Sequence, residues 1–503
     1  MVYSLKDRLS LYTGEFITFL LVLQPVLDVI SYFAVKTEAT VITTVIRTIL
    51  LAVVCCYGFV LSGQKNKYLM FYAVLAIFWI LHMLNCLRIG YQDPMADFAE
   101  YLKLVQFPLW CFSFVTIFKS RDDIQIHIPN ILVLSFFLIV LVIFLSFITN
   151  RPGFTYDYPD RNIHIGLLGW FSVQNAQSTI VSVLVPFILL WSLRSENILI
   201  FTMTTAISFG LLYMTGTRFA YYAAIIIAVA FILLILMCRE YFLFCLPIIT
   251  ALILFFLLKD VSPMAEKESV ADNSFRIYQE RTEEIMGNDI DYIYQEGEEI
   301  PEDIRNKITQ VYTDIYAQEG VFGNLLLSNI IDRFGLEKVM EVYDYSVNPK
   351  VLYNMREKRI KCMELIWNEQ DILTKLLGFE FSESVINGEI HSPENDLPLL
   401  FSFYGILGGA IYVLFVLYFI LIAARKMLFG FWDFLSMEIG VYFIAYFLLI
   451  GAALICGHTL RVPSANVYLS LSAALIYARV YPNYGRRFQS LSRRSSVVYI
   501  KKI

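Results

Sequence analysis

Windows of about 20 apolar residues recur along the chain, and each can cross a hydrocarbon core of about 30 Å. Strands of a membrane barrel would instead alternate in polarity over about 10 residues. Helices satisfy their own backbone hydrogen bonds, so they are the spanning element that fits. The windows predict about twelve transmembrane helices, near residues 14–35, 40–61, 68–88, 98–118, 126–148, 166–193, 197–214, 217–237, 241–258, 398–423, 432–455 and 464–482.

The composition indicates the same class of protein. Of 503 residues, 58% are hydrophobic and 17% are charged, whereas soluble domains contain roughly 45–50% apolar and about 25% charged residues. The predicted fold class is therefore an all-α polytopic membrane protein with one large, mainly helical loop domain. We divide the chain into transmembrane helices at 1–258, an acidic insert at 259–396, transmembrane helices at 397–482 and a basic tail at 483–503.

Lysine and arginine in the short loops predict the orientation, because they remain on the cytoplasmic side. Basic residues recur in every second loop and in the tail, including Lys65, Arg121, Arg194, Arg239 and Arg425. Twelve crossings in this register place both termini in the cytoplasm and the insert outside.

The insert is the one strong shift in composition, since its acidic residues outnumber its basic residues about twofold. Its periodicity predicts helices near 314–330 and 354–377. Arg356 and Arg359 share a face of the second helix because they lie three residues apart. A solvated cap with no chemical role is the alternative interpretation. No cysteines and histidines lie at zinc spacing, so we expect neither a metal nor another cofactor.

Several cations fall inside predicted spans, where each costs roughly 2.5–3.5 kcal/mol and needs a partner or a function. They are Arg47, Arg88, Lys103 and Arg218, and Arg461 precedes the last span on the same side of the membrane. Asp28 and Glu100 are available as structural partners, although no acid is obvious for Arg218. The alternative is a basic cavity for an anionic group at membrane depth, such as a lipid diphosphate, whose oxygens match the planar fork of arginine.

Short motifs in this order resemble the O-antigen ligase and O-antigen polymerase superfamily of membrane glycosyltransferases. Glu394-Asn395 precedes Gly405-Ile406-Leu407-Gly408 by nine residues, which is similar to the His-Asn-like pair and Gly-x-x-Gly after the family's large loop. The remaining motifs are Thr215-Gly216-Thr217-Arg218, Gly169-Trp170-Phe171 with Gln174-Asn175-Ala176, Gln24-Pro25-Val26-Leu27-Asp28, and Gly457-His458-Thr459-Leu460-Arg461-Val462-Pro463. The last two resemble a Gram-positive branch of the superfamily.

One departure from the family pattern concerns the catalytic base. Glu394 occupies the family's histidine position, while His391 lies three residues earlier. Either Glu394 is the base, with Asp396 holding or tuning it, or His391 has taken this role. Glu394 and Asp396 could instead be loop-end acids that cap the helix starting near residue 397.

The resemblance implies transfer of an oligosaccharide from undecaprenyl diphosphate to a glycan acceptor on the extracytoplasmic face of a bacterial cytoplasmic membrane. It implies a metal-independent, inverting reaction in polysaccharide synthesis, with polymerisation favoured over ligation. The partners would be the lipid-linked donor, the glycan acceptor, membrane lipid and a chain-length regulator, with no nucleic acid. The implied diphosphate ligands are, in order, Arg218, Arg359, Arg356, Arg461 and Arg88; the supporting residues are His458, Asn175, Gln24, Asp28 and Arg47.

A transporter of lipid-linked oligosaccharides is the competing class, and a sensor or scaffold is a further alternative. Transporters commonly contain internal repeats, and no motif in this chain has a second copy. A transporter also has no need of a domain of about 140 residues on one face.

Overall fold

The computed structural model describes residues 5–482, except 38–39, 152, 159–161, 240, 291, 296, 318–326 and 458. The basic tail and His458 therefore lie outside the described residues. Up to the insert, the described elements are α1 (Leu5–Leu11), α2 (Thr13–Lys36), α3 (Thr40–Leu61), α4 (Lys65–Ile89), α5 (Pro94–Ser120), α6 (Ile124–Ile148), β1 (Tyr156–Tyr158), β2 (Ile163–Ile165), α7 (Gln174–Arg194), α8 (Ile198–Met214), α9 (Arg218–Cys238) and α10 (Cys245–Leu257).

The insert is mainly helical, and long apolar helices follow it. Its elements are α11 (Pro263–Met286), α12 (Glu302–Gln310), a π-helix (Val311–Tyr316), α13 (Leu327–Phe334), α14 (Leu336–Val342), α15 (Pro349–Leu352), α16 (Met355–Glu369), α17 (Ile372–Leu377), β3 (Val385–Ile386) and β4 (Glu389–Ile390). The last helices are α18 (Asp396–Phe434), α19 (Met437–Ile455) and α20 (Pro463–Val480).

Nine helices within the described ranges are long and apolar enough to cross a membrane: α2 to α7, α9, α18 and α19. Two shorter apolar stretches accompany them, Ile198–Met214 and Phe242–Leu257. Many large apolar side chains on these helices are exposed, for example Leu69, Ile77, Leu134 and Phe144. Such surface is stable against lipid and not against water, so the all-α multi-pass membrane fold is confirmed.

The centre of the bundle is formed by α7 and α20. In α7, 94% of the residues in the most apolar stretch of the helix are buried. The helix packs against α6, α8, α9 and α19. Ser178 and Ser182 of α7 each donate a hydroxyl hydrogen bond of 2.7 Å to a carbonyl one turn earlier. Small side chains of this kind allow membrane helices to approach closely, which positions the loops at the ends of α7 and α20.

The predicted span at 166–193 begins later than its apolar pattern indicates, at Gln174. Gly166 and Gly169 have φ of +70° and +76°, so the chain leaves the helical region there. The residues before Gly166 form the β1–β2 hairpin, in which Tyr156 faces Ile165. The apolar composition of this stretch therefore comes partly from a packed loop.

The insert meets the membrane helices where two glycines come together. Gly405 breaks α18 with φ of +62°, and Gly378 ends α17 with φ of +85°. A Cβ on Gly405 would lie 2.3 Å from the Leu376 carbonyl oxygen, and one on Gly378 would lie 2.2 Å from the Phe403 carbonyl oxygen. Neither position can accept a side chain, so this contact fixes the position of the insert beside the start of α18.

The predicted helix at 354–377 is two helices in the structure. Asp371 separates α16 from α17 because its carboxylate caps α17, accepting a hydrogen bond of 2.8 Å from the Thr374 amide. Of the other predicted insert helix, at 314–330, residues 318–326 lie outside the described part.

Candidate functional site

Two arginines of the insert hold Glu394 directly before α18. Arg356 Nε donates to Glu394 Oε2 at 3.0 Å, and Arg359 Nη1 donates to Glu394 Oε1 at 2.9 Å. Asn354 caps α16 through the Arg356 amide at 3.0 Å, which places both arginines in the first turns on one helix face. The Glu394 side chain remains 21% exposed, so the cluster lies at an accessible surface.

The loop between α19 and α20, residues 456–462 apart from the undescribed residue 458, packs against the backbone of Glu394. Gly457 has φ of +74°, and a Cβ there would lie 2.0 Å from the Glu394 carbonyl oxygen. Asp396 Oδ2 accepts hydrogen bonds from the Thr459 and Leu460 amides at 2.8 and 2.9 Å. Asp396 therefore anchors the 456–462 loop.

The same loop connects Arg356 to the central helix α7. Arg356 Nη1 donates to the Ile455 carbonyl at 3.0 Å, and its Nη2 donates to the Cys456 carbonyl at 3.2 Å. Asn175, in the first turn of α7, donates to the same Cys456 carbonyl at 3.1 Å. Asn175 thus acts through the backbone that orients Arg356.

Further cations lie next to this cluster. Arg218, at the start of α9, donates to Glu268 Oε1 at 2.7 Å. Burial lowers the pKa of Lys267, as do the neighbouring Arg218 and Arg356 cations, while Glu268 opposes this effect. Lys267 Nζ also lies 5.4 Å from the centre of the Tyr156 ring. The charges of Arg218 and Arg356 therefore act on Lys267. Tyr156 of the hairpin lies beside Lys267.

His391 is placed differently from Glu394. Its side chain is fully buried, and neither ring nitrogen has a hydrogen-bond partner among the described residues. The Glu389 carboxylate lies 3.9 Å from its Nε2. Burial lowers the pKa of His391 to about 4, and the Arg359, Lys358 and Arg333 cations add to this effect. In the described conformation His391 is neutral near pH 7 and has no access to a substrate.

Acid is expected to destabilise the protein through His391. Its pKa falls from 6.5 to about 4 on folding, so below pH 6.5 the unfolded chain takes up a proton that the folded chain does not. The stabilising contribution is fully present above pH 6.5 and is lost as the pH falls toward 4. Thermal unfolding in detergent between about pH 7.5 and about pH 4.5 should show a smaller decrease in Tm for His391→Gln than for the wild type.

The control for this measurement is His127→Gln, because the His127 side chain is exposed. It should leave the pH dependence of Tm as in the wild type. Equal pH dependence in the wild type and His391→Gln would contradict the buried, neutral state of His391.

Each cation predicted inside the membrane has an acidic partner. Arg47 pairs with Asp28 at 2.7 Å, and Arg88 pairs with Asp371 at 2.6 Å. Lys103 and Arg461 share Glu100, at 2.6 and 2.8 Å. Asp28 also accepts from Ser464 of α20 at 3.0 Å, so the Arg47–Asp28 pair links three helices.

The predicted residues therefore divide into a cluster and separate contacts. Five of the predicted residues meet around the 456–462 loop: Arg356, Arg359, Glu394, Asp396 and Asn175. Arg218 lies beside them. Gln24 donates to the Leu20 carbonyl of its own helix at 3.0 Å, and Arg47, Asp28, Arg88 and Arg461 form the pairs given above. His458, also predicted, lies outside the described residues.

Sequence reasoning missed Lys267, Glu268 and Tyr156. Lys267 and Glu268 lie in the polar helix α11, where alternating charge is typical of a solvated face. Glu268 lies 50 residues from Arg218, so no local pattern pairs the two. The position of Lys267 and Glu268, near the start of the insert and directly after a membrane span, is the one local feature of the sequence that could have indicated the site.

The arrangement combines several cations with two carboxylates, Glu394 and Glu268, at an accessible edge of the membrane helices. Clustered guanidinium groups bind an anion with several oxygens, such as a phosphate or diphosphate. A carboxylate within reach of the bound anion can accept a proton.

A family model described as O-antigen ligase like membrane protein matches residues 10–481. This span includes every described residue of the cluster. No curated protein and no solved structure matches the chain.

Proposed function

The chain belongs to the family of O-antigen ligase-like membrane proteins, and we propose that it transfers an oligosaccharide from a polyprenyl diphosphate to a sugar hydroxyl. The membership supports a membrane enzyme that transfers glycans between lipid-linked and glycan substrates. Undecaprenyl diphosphate as the carrier, the extracytoplasmic face and polymerisation of repeat units are the finer parts of the proposal.

The observation that carries the proposal is the convergence of Arg356 and Arg359 on Glu394, with Arg218 and Lys267 close by. Two arginines on one carboxylate give the cluster an excess of positive charge. Arg359 Nε is buried without a hydrogen-bond partner among the described atoms, so a ligand that turns this guanidinium would gain a donor and break no hydrogen bond at Nε. A diphosphate supplies the oxygens and the negative charge that such a site lacks.

Substrate binding would exchange the partners of the arginines. A diphosphate competes with the Glu394 carboxylate for Arg356 and Arg359, because it carries more negative charge and more acceptor oxygens. A carboxylate released from one arginine has a free oxygen for an acceptor hydroxyl. The resting ion pairs thus keep Glu394 in place until the donor arrives.

The reaction then follows from charge and position. The acceptor hydroxyl oxygen attacks the anomeric carbon, its proton passes to Glu394, and the bond from the anomeric carbon to the diphosphate oxygen breaks. The leaving diphosphate gains about one negative charge, which the fixed cations stabilise. Attack opposite the leaving group inverts the configuration at the anomeric carbon.

Geometry favours Glu394 over His391 as the base. Glu394 is partly exposed and is held by two arginines, whereas His391 is fully buried. A base must come within hydrogen-bond reach of the proton it removes. His391 meets this condition only if the insert rearranges.

The proposal is tested by Arg218→Ala and Arg359→Ala in a deletion strain, with the lipid-linked intermediates measured on each face of the membrane. Both variants should accumulate single-repeat units on the outer face, because the donor arrives but is not transferred. Arg276→Ala is the matched control, since Arg276 is 73% exposed and pairs only weakly with Glu280 at 3.5 Å.

Accumulation on the inner face would instead identify the protein as a transporter of lipid-linked oligosaccharides. Normal polymer from both variants, at wild-type levels of membrane expression, would show that this cluster is not the donor site.

A further inference from the structure

Three buried side chains on α4 and α5 have their ligand atoms close together. His82 Nε2 lies 3.0 Å from Asp97 Oδ2 and 3.5 Å from Cys86 Sγ. All three residues are buried, and one ligand atom from each lies within 4.8 Å of the others. We propose that His82, Cys86 and Asp97 bind a zinc ion. This departs from the sequence-based expectation of no metal, which rested on histidines scattered along the chain.

The two separations from His82 Nε2 are close to those of a tetrahedral zinc site, and the ligand atoms of Cys86 and Asp97 lie within 4.8 Å of each other. Bond lengths of about 2.0 Å to nitrogen or oxygen and about 2.3 Å to sulfur place nitrogen and sulfur roughly 3.5 Å apart, and nitrogen and oxygen roughly 3.3 Å apart. The observed separations are 3.5 and 3.0 Å. His82 and Cys86 are four residues apart and so share one face of α4, while Asp97 approaches from the first turn of α5.

The hydrogen bond of His82 Nδ1 supports the same conclusion. Nδ1 lies 2.8 Å from the Leu377 carbonyl oxygen, and a carbonyl only accepts, so Nδ1 carries the proton. Nε2 faces the Asp97 carboxylate oxygen at 3.0 Å, so a positive charge, from a proton or from a metal ion, must lie between these two atoms. A backbone carbonyl behind the second ring nitrogen is the usual partner of a histidine that binds a metal.

Asp97 is also supported as a ligand. Tyr91 donates its hydroxyl to Asp97 Oδ2 at 2.6 Å, and the Phe381 amide donates to Oδ1 at 3.3 Å. Carboxylates that bind a metal are commonly hydrogen-bonded in this way. A Cys86 thiolate and an Asp97 carboxylate together balance the charge of Zn²⁺, which a buried site requires.

The ion would hold the insert to the membrane helices. Leu377 and Phe381, which contact His82 and Asp97, belong to the segment that leads toward Glu394. Asn85 Nδ2 reinforces the contact by donating to the Gly378 carbonyl at 2.9 Å. Loss of zinc should therefore loosen the insert and lower Tm.

The experiment measures zinc in the full-length protein purified in detergent, by plasma mass spectrometry. We expect about one zinc ion per chain, as three protein ligands and a water would bind it. Cys86→Ser and Asp97→Asn should lose the ion, whereas Cys111→Ser, which alters another buried cysteine, should retain it. Chelation should lower the Tm of the wild type, and added zinc should restore it.

Cobalt substitution of the wild type makes the test independent of how well the variants fold. Cobalt(II) bound to Cys86 should produce a thiolate charge-transfer band in the near ultraviolet. The proposal is overturned if the purified wild type contains no zinc and cobalt produces no such band, because a proton then lies between His82 and Asp97.

Discussion

Glu394→Gln is expected to reduce the rate of glycan transfer by about 10²–10⁴-fold, the usual contribution of a general base. The amide keeps the size of the side chain but cannot accept the proton of the acceptor hydroxyl. It also places an NH₂ group against Arg356 or Arg359, which now hold the two carboxylate oxygens at 3.0 and 2.9 Å. The loss should appear mainly in kcat, because removing the base leaves donor binding to the arginines.

The measurement uses purified protein in vesicles that contain the lipid-linked oligosaccharide, with polymer formed per unit time as the readout. His391→Gln should keep most of the wild-type rate, since the buried ring does not reach the acceptor. Glu369→Gln, which alters an exposed insert residue paired with Lys338, should match the wild type. The opposite pattern, with His391→Gln inactive and Glu394→Gln active, would assign the base to His391.

Gly457→Ala is expected to abolish transfer and to lower Tm. The backbone at Gly457 has φ of +74°, a conformation that costs a residue with a side chain about 1–3 kcal/mol. The new Cβ would also lie 2.0 Å from the Glu394 carbonyl oxygen and 2.9 Å from the Asn395 nitrogen. The 456–462 loop must then move away from Glu394 and displace the carbonyl acceptors of Arg356.

The matched control is Gly451→Ala on α19, where an added Cβ meets nothing within 4 Å. This change should leave transfer intact and be neutral or slightly stabilising, because alanine favours helix over glycine. Thermal unfolding in detergent and the vesicle assay give both readouts. Wild-type Tm and rate in Gly457→Ala would show that the loop does not pack against Glu394 in the membrane.

Part of the candidate site is visible in local patterns. The spacing of Arg356 and Arg359 gives them one helix face. Thr217 of the Thr-Gly-Thr-Arg motif lies at the start of α9 and caps it, accepting from the Ala220 amide at 3.2 Å. His82 and Cys86 have helical spacing as well. Without Asp97 from the next helix, however, this pair is indistinguishable from ordinary packing in a membrane span.

The pairs that define the cluster join residues far apart in the chain. Arg356 meets Glu394 across 38 residues, Arg218 meets Glu268 across 50, and Asn175 meets the Cys456 carbonyl across 281. The sequence shows no acid for Arg218 because Glu268 resembles any other charge on a solvated helix. Helix packing alone decides which of the many acids in the insert reaches which arginine.

The sequence by itself determined the all-α membrane fold, because crossing a bilayer depends on the length and hydrophobicity of each segment, and these are local properties. It also predicts an insert, from a change in composition that is local too. Only the tertiary structure decided that the start of α16, the 456–462 loop, α7 and Glu394 meet, and that the apolar stretch before α7 is a packed loop. Those contacts depend on glycines that admit close backbone approach and on long-range ion pairs, and neither is encoded in the periodicity of any one segment.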